Sequence, residues 1–195
     1  MDFQQLFLQR YNPLYDFWLG GTWETVPADL MRQRPHARLN SIAWILWHLT
    51  RVEDAGLNSF VAERPQVFDD GDWMARLNLP WRHQGNGMTF AEVDELSQRI
   101  DVQALHGYSD AVRDRTREII TQLNPDILDT VMEEDRLRVI LFDEGLAMPA
   151  EAEGLLKNYL GWTKGKCLMN FGMTHPYQHL GEIEAIATLL GVEWD

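Results

Sequence analysis

Apolar residues recur at the spacing of one face of an α-helix over four stretches of the chain. These stretches cover residues 2–19, 41–62, about 89–123 and 152–190. Gly20 and Gly21 predict the end of the first helix, and Gly191 predicts the end of the last. We expect breaks near Asp101 and Gly161 within the third and fourth stretches. Because no two segments offer themselves as paired strands, the pattern indicates an all-α protein.

The segments between the helices are long. Residues 63–88 are rich in Pro, Gly, Asp and Asn and predict a loop. That loop is a lid or pocket wall in one interpretation and a cover over one end of the helices in the other. Residues 125–150 contain the strand-like run LRVILF, but an isolated strand is not stable, so we expect a loop with a short helix. Thr89 and Glu92 have the spacing of a capping box, which predicts a helix start there.

Length and composition exclude several classes of protein. A chain of 195 residues predicts a single domain, residues 1–195. The net charge of −13 argues against nucleic acid and against an anionic membrane surface as partners. The chain has neither the apolar run of a spanning helix nor the basic start of a signal peptide. Its one cysteine, Cys167, permits no internal disulfide, so we expect a cytoplasmic protein.

Two histidines near the C-terminus carry the clearest chemical signal. His175 and His179 are four residues apart, and helical geometry places both, with Glu182, on the apolar side of the last helix. Burying polar groups there is costly unless each has a partner, and a metal ion is the partner that imidazoles at this spacing bind. The alternative is a pair of partly exposed histidines near a helix end. Pro176 either kinks this helix or lies in the first turn of a new one.

A third histidine points toward the core from another helix. His48 lies three residues after Ile45 and four before Val52, within the apolar face of residues 41–62. It is a second-helix ligand in one interpretation and a hydrogen-bonded core histidine in the other. We interpret His83 as a surface residue and His106 as a structural or exposed one.

These residues resemble a known family. The run IAWILWHL around His48, followed by H-x3-H, LGEI and a closing LLG, resembles the DinB-like superfamily, and GWTKGKCLMNFGMTHPYQHLGEIEAI is similar to its second domain family. The resemblance implies an up-down-down-up four-helix bundle with one long crossover, commonly a homodimer. It also implies a divalent metal held by His48, His175 and His179. Pro176 departs from the commonest pattern inside that helix.

Such a site has defined chemistry. Three neutral imidazoles leave an open position for water or substrate, and nickel, zinc, iron and manganese all accept imidazole. Glu182 is the candidate catalytic residue, because it lies near His179 and can orient a ligand or accept a proton; the alternative is a salt bridge at the rim. Arg51, one turn after His48, is the candidate for binding a thiol cofactor, and Lys164 and Lys166 are weaker candidates.

Two functions remain open. By resemblance, the chain is a metal-dependent transferase that uses a low-molecular-weight thiol such as bacillithiol or mycothiol, or a related hydrolase acting on a small molecule. This function requires a pocket lined by Trp44, Trp47 or residues 63–88. The alternative is a non-enzymatic binding, stress or dimerisation protein, in which the metal is structural or absent. Fold-level analogy does not decide between them.

Overall fold

Four long helices dominate the computed structural model, which describes residues 2–194. Helix α1 spans residues 3–25, α2 residues 42–62, α3 Val102–Gln122 and α4 residues 164–189. Three of these helices contain π-helical stretches, at Leu14–Leu19, Ala55–Ala62 and Asn170–Thr174. Over the described residues no strand forms, apart from an isolated bridge between Val131 and Thr163. The predicted all-α class is confirmed.

Shorter helices fill the connections. Thr89 begins one of them with a complete capping box to Glu92, as predicted, and Asp101 caps the start of α3 at the predicted break. The strand-like run LRVILF is helical, which agrees with the expected short helix. The short helices are Ala28–Met31, Val67–Asp70, Trp73–Arg76, Phe90–Arg99, the 3-10 turn Pro125–Ile127, residues 134–143 and Ala152–Tyr159. None of the helices in residues 2–194 combines the length and apolar character needed to cross a bilayer.

Side-chain contacts fix the directions of the four helices. Helices α1 and α3 run antiparallel, α3 and α2 run parallel, and α2 and α4 run antiparallel. Between α1 and α3, the contacts are Gln4–Leu123 at 2.8 Å and Asp16–Arg117 at 2.7 Å. Between α2 and α3, they are Arg51–Tyr108 at 2.9 Å and Arg64–Glu118 at 3.2 Å. Between α2 and α4, they are His48–His175 at 3.1 Å and Glu63–Lys164 at 2.5 Å. The bundle is therefore up-down-down-up, and residues 63–101 form the crossover between the parallel pair.

Helix α2 is buried on every side. All of residues 41–61 are buried, including the polar side chains of His48, Arg51, Glu53 and Asp54. The sequence predicted one apolar face, which was wrong because the crossover covers the side that the other helices leave open. The helix is capped by Ser41, whose hydroxyl accepts the Trp44 N–H at 3.0 Å.

Helix α1 is longer than predicted. Gly20 and Gly21 do not end it, because both adopt helical backbone and the chain continues to Thr25. The helix stops at Val26, which has extended backbone and precedes Pro27. A residue before proline is driven away from helical geometry, so Pro27 supplies the stop that the two glycines do not.

A carboxyl lies among hydroxyl groups at the centre of the bundle. Glu53 of α2 is fully buried and accepts hydrogen bonds from Tyr11 at 2.5 Å, from Thr116 at 2.7 Å and from Tyr15. Desolvation raises the pKa of Glu53 to about 7, although the three hydroxyl groups oppose that rise. The folded protein therefore binds a proton at Glu53 more tightly than the unfolded chain does.

The raised pKa of Glu53 makes stability depend on pH. A carboxyl whose folded pKa is raised stabilises the fold fully below its unfolded pKa, and this stabilisation is lost as the pH rises through about 7. Glu53→Gln mimics the protonated form, so the wild type should lose on the order of 3 kcal/mol relative to it between pH ~5 and ~8. Urea unfolding at both pH values measures this difference. Glu24→Gln, at an exposed position, is the control; parallel pH curves for wild type and Glu53→Gln would refute the assignment.

Candidate metal centre

The structure brings the three predicted histidines together. One ring nitrogen from each of His48, His175 and His179 lies within 4.8 Å of the other two. The ring centroids are 4.6 to 5.3 Å apart, and each pair of rings is edge to face. His48 is buried in α2, whereas the two histidines of α4 are partly buried. The site thus joins two antiparallel helices of the bundle, where facing side chains commonly build metal sites.

Hydrogen bonds outside the cluster fix two of the imidazoles. The Nδ1 of His48 lies 2.5 Å from the carbonyl oxygen of Gln84, and the Nδ1 of His179 lies 2.7 Å from a carboxylate oxygen of Glu182. Since both partners are acceptors, Nδ1 carries the proton in each ring and Nε2 carries the lone pair. A carbonyl or carboxylate behind a ligand imidazole is the usual outer shell of a metal site.

A π-helical turn sets the position of His175. The His175 N–H donates to the carbonyl of Asn170, five residues back, and Pro176 follows at once. Pro176 has no N–H and its ring crowds the carbonyl four residues earlier, so ordinary helical hydrogen bonding fails here and the turn widens. The helix nevertheless continues without a new start. Neither predicted geometry at Pro176 is therefore complete: the helix is continuous, and a π-helical turn replaces a simple kink.

Burial keeps two imidazoles neutral. The pKa of His48 is lowered to about 4, chiefly by desolvation and in part by His179, although the Gln84 carbonyl opposes this fall. The pKa of His175 is lowered to about 3, chiefly by desolvation and in part by His48 and His179. The Nε2 atoms of His48 and His175 are 3.1 Å apart. Two lone pairs at that distance repel unless a proton or a cation lies between them. Neutral imidazoles that converge through Nε2 therefore fit a divalent ion, and His48, His175 and His179 would hold it.

The structure does not place Arg51 at the metal centre. Its side chain is fully buried on another side of α2, where it pairs with Asp54 at 3.4 Å and donates to the Tyr108 hydroxyl at 2.9 Å. The guanidinium also lies 4.0 Å from the ring centroid of Phe68. Protein groups therefore enclose the Arg51 side chain, and the predicted role in cofactor binding stays a prediction that this geometry does not support. The sequence could not reveal this, since a helix buried all round has no solvent face.

Arg51 instead binds the crossover segment to α2 through hydrogen bonds. It donates two hydrogen bonds to the carbonyl of Arg82, at 2.7 and 3.2 Å. Two residues later, Gln84 donates its N–H to the Leu146 carbonyl at 3.0 Å and directs its own carbonyl at His48. Gly85 follows with φ +95°, and a Cβ there would come within 2.7 Å of the Trp47 ring. Arg51 therefore positions the segment that orients a candidate ligand.

A pocket of about 330 Å³ opens beside His48 and His175. Its polar lining is made of four carboxamides and its apolar lining largely of aromatic rings, and no Asp, Glu, Lys or Arg of the described residues lines it. The remaining lining residues are Gln84, Asn86, Asn158, Asn170, Tyr159, Trp162, Phe171, Val52 and Leu155. Residues 63–88 thus contribute a pocket wall, as one interpretation predicted. Trp44 and Trp47 do not line the pocket; Trp44 stacks on the His48 ring at 4.9 Å.

Sequence reasoning missed most of this lining. Gln84 acts on His48 through its backbone carbonyl, and a backbone group leaves no signal in residue type. The four carboxamides are scattered over three segments, and only the fold brings them together. Trp162, Asn170 and Phe171 lie within the run GWTKGKCLMNFGMTHPYQHLGEIEAI that carries the family resemblance, and this is the signal that was available.

The remaining candidates lie elsewhere. Lys164 pairs with Glu63 at 2.5 Å, and Lys166 is exposed, with its ammonium 4.1 Å from the ring centroid of Trp162. Cys167 is buried, and desolvation raises the pKa of its thiol to about 12, so it is inert as a nucleophile. His106 is exposed and stacks on Trp23 at 4.6 Å.

His83 differs from its prediction. It is half-buried rather than a surface residue, and its ring is edge to face with Trp47. Its Nδ1 accepts the Gly85 N–H at 3.1 Å. The interpretation as a surface residue was wrong because residues 63–88 fold back against α2.

Glu182 contacts a candidate ligand and does not line the pocket. If its carboxylate supports His179, Glu182→Gln should weaken metal binding by about tenfold, because the acceptor loses its charge. A competitive metal titration measures the change. Glu184→Gln, exposed one residue beyond Ile183 on the same helix, is the matched control. Unchanged metal affinity in Glu182→Gln would leave the proton-accepting role as the better interpretation.

Comparison with known proteins places the chain in a family. The sequence profile of the DinB superfamily, DinB_2, matches residues 19–183, and the chain belongs to this superfamily, whose members commonly bind metal. A solved structure described as the conserved protein of locus from Enterococcus faecalis covers 98% of this chain and 99% of its own, with a TM-score of 0.72 and 16% identity. At that identity the likeness shows the fold alone. A search of curated proteins found no match.

Proposed function

We propose that this chain is a divalent-metal-dependent enzyme whose three-histidine centre activates a low-molecular-weight thiol for transfer to a small electrophilic substrate. The observation that carries the proposal is the convergence of three imidazoles, two of them kept neutral by burial, at the wall of a pocket. Three protein ligands are the arrangement that leaves a metal one open position. Nickel, zinc, iron and manganese all suit imidazole.

The pocket favours a thiol over water as the activated group. When bound, the ion would supply Lewis acidity and lower the pKa of a coordinated thiol. No carboxylate of the described residues lines the pocket, and Glu182 contacts His179 outside it, so a hydrolase would have no carboxylate in the pocket to act as general base. A thiol needs less help than water, because its pKa is already nearer neutrality.

The chain's own residues would bind and orient. Gln84 and Glu182 hold the rings of His48 and His179 in their tautomers. Burial raises the pKa of Tyr159 to about 12, so its hydroxyl stays protonated and serves as a hydrogen-bond donor at the pocket wall. In the transfer itself, the thiol loses its proton to solvent, its sulfur bonds to an electrophilic carbon, and the displaced group departs with the electron pair.

A second candidate is a non-enzymatic dimerisation protein. It is favoured by exposed apolar side chains on two of the long helices: Phe17 and Trp18 of α1 are 68% and 48% exposed, and Leu189 of α4 is 64% exposed. Exposed apolar side chains suit the homodimer that we propose for either function. In this alternative the histidines hold a structural ion or none, and His175 donates directly to His48.

The proposed location is the cytoplasm. The thiol-dependent function needs its thiol in the reduced form, and the cytoplasm is a reducing compartment that keeps thiols reduced.

Cobalt-loaded protein separates the two functions. Titration with 2-mercaptoethanol should produce a sulfur-to-cobalt charge-transfer absorption band in wild type, and His179→Ala should show none. A loaded centre whose spectrum no thiol changes would favour the structural ion. His106→Ala should behave as wild type, since that ring lies on Trp23 away from the cluster.

A further inference from the structure

The pocket beyond the histidines is free of charged side chains, and this restricts what can enter it. Charged residues are 24% of the sequence, yet the described lining contains none. Arg51 and Lys157 are adjacent in sequence to lining residues, and neither lines the pocket. Lys166, which is exposed and lies over the Trp162 ring, does not line it either. A carboxylate at the end of the pocket away from the histidines would leave water and find no cationic side chain in the described lining, which is costly.

One acceptor in the pocket has no donor. The Oδ1 of Asn86 is buried and makes no hydrogen bond among the described residues. A buried acceptor left unpaired costs free energy, so a ligand that brings an O–H to this atom gains binding. Asn158 and Asn170, which also line the pocket, both donate and accept and therefore suit the same group. A hydroxyl can donate to Oδ1 and accept from a neighbouring amide, whereas a methyl group does neither.

We infer that the pocket selects an uncharged, hydroxyl-bearing thiol, with the sulfur toward the three histidines and the hydroxyl toward Asn86. This inference rests on the proposed function. Thiols that carry carboxylates are disfavoured, both by the uncharged lining and by the net charge of −13. The volume of about 330 Å³ is at the small end of ligand pockets, so the ligand is compact.

Three para-substituted benzenethiols test this selectivity, because their rigid rings keep the substituent from chelating the metal. They are 4-(hydroxymethyl)benzenethiol, 4-mercaptobenzoate and 4-methylbenzenethiol. In cobalt-loaded protein, the charge-transfer band should give the alcohol a dissociation constant about tenfold lower than that of the benzoate. The alcohol should also bind about threefold more tightly than the methyl compound. Equal or tighter binding of the benzoate would overturn the inference.

Two variants separate the pocket from the thiol's own chemistry. Asn158→Lys adds a cation at an exposed lining position and should lower the alcohol-to-benzoate preference by about threefold. Asn40→Lys, the same change outside the pocket, should leave the preference as in wild type. Asn86→Ala should remove the advantage of the alcohol over the methyl compound. An unchanged preference in both lining variants would show that the pocket does not contact the substituent.

A failure of the proposed thiol-dependent function can be distinguished from a failure of the inference about the pocket. If no thiol produces the band, the proposed function is wrong, and saturation-transfer NMR with 4-methylbenzyl alcohol and 4-methylbenzoate then decides the pocket chemistry. Stronger transfer to the alcohol, reduced in Asn86→Ala, would support an uncharged hydroxyl-bearing ligand without the thiol. Equal transfer, or none, would overturn the inference.

Discussion

Replacing His179 by alanine should abolish tight metal binding while leaving the chain folded. The His179 side chain is partly exposed, so its removal opens no closed cavity in the core. Loss of an outer-shell partner alone costs about 10–100-fold in metal affinity, and loss of a ligand should cost more than that. His48→Ala should also lose the metal, but it empties a buried site and leaves the Gln84 carbonyl without its partner.

Metal content of purified protein and thermal unfolding with added metal check this expectation. The wild type should bind one ion per chain and unfold at a higher temperature when the ion is present, since ligands that bind only the folded state stabilise it. His179→Ala should show neither effect. His106→Ala should keep both, because that residue stacks on Trp23 away from the cluster. Full metal occupancy in His179→Ala would show that His179 is not a metal ligand, and the three-histidine centre would then be wrong.

The spacing of residues predicted the helices well where local chemistry decides their ends. The capping box at Thr89, the break at Asp101 and the gap near Gly161 all depend on residues next to the boundary. The end of α1 failed because glycine permits a helix to continue, and the effective stop, Pro27, lies six residues beyond Gly21. The π-helical turn at Asn170–Thr174 was missed for a related reason: Pro176 shows that a hydrogen bond must be lost, but not how the helix will absorb the loss.

The candidate site, like the helices, could be predicted from the sequence only where local spacing decides the position of a side chain. The spacing of His175 and His179 placed both on one side of a helix without any structure, and the apolar neighbours of His48 pointed it inward. Arg51 was a candidate because it lies one turn after His48, whereas the crossover covers its side of α2 and its side chain is buried there. The contacts that decide its role, with Arg82, Tyr108 and Asp54, join positions far apart in the chain. Periodicity within one helix carries no information about them.

Loss of Arg51 should therefore weaken the fold and the metal centre together. Arg51→Met should lower the free energy of unfolding by about 3 kcal/mol, because Asp54 would remain buried without its cation. Arg51→Lys keeps a positive charge near Asp54, but an ammonium cannot reproduce the forked contacts to Tyr108 and the Arg82 carbonyl. The lysine variant should stay folded, and its metal affinity should fall by about tenfold as the Gln84 carbonyl loses its fixed position.

Urea unfolding of the metal-free chain and a competitive metal titration separate the two effects of Arg51. Arg32→Lys is the matched control, since Arg32 also donates to backbone carbonyls, those of Ser97, Gln98 and Ile100, far along the crossover from His48. That variant should lose stability without losing metal affinity. If folded Arg51→Lys bound metal as tightly as wild type, the Leu146 carbonyl and Gly85 would suffice to hold Gln84 against His48. A selective loss in Arg51→Lys would instead show that the buried ion pair of α2 holds the crossover in place to orient a metal ligand.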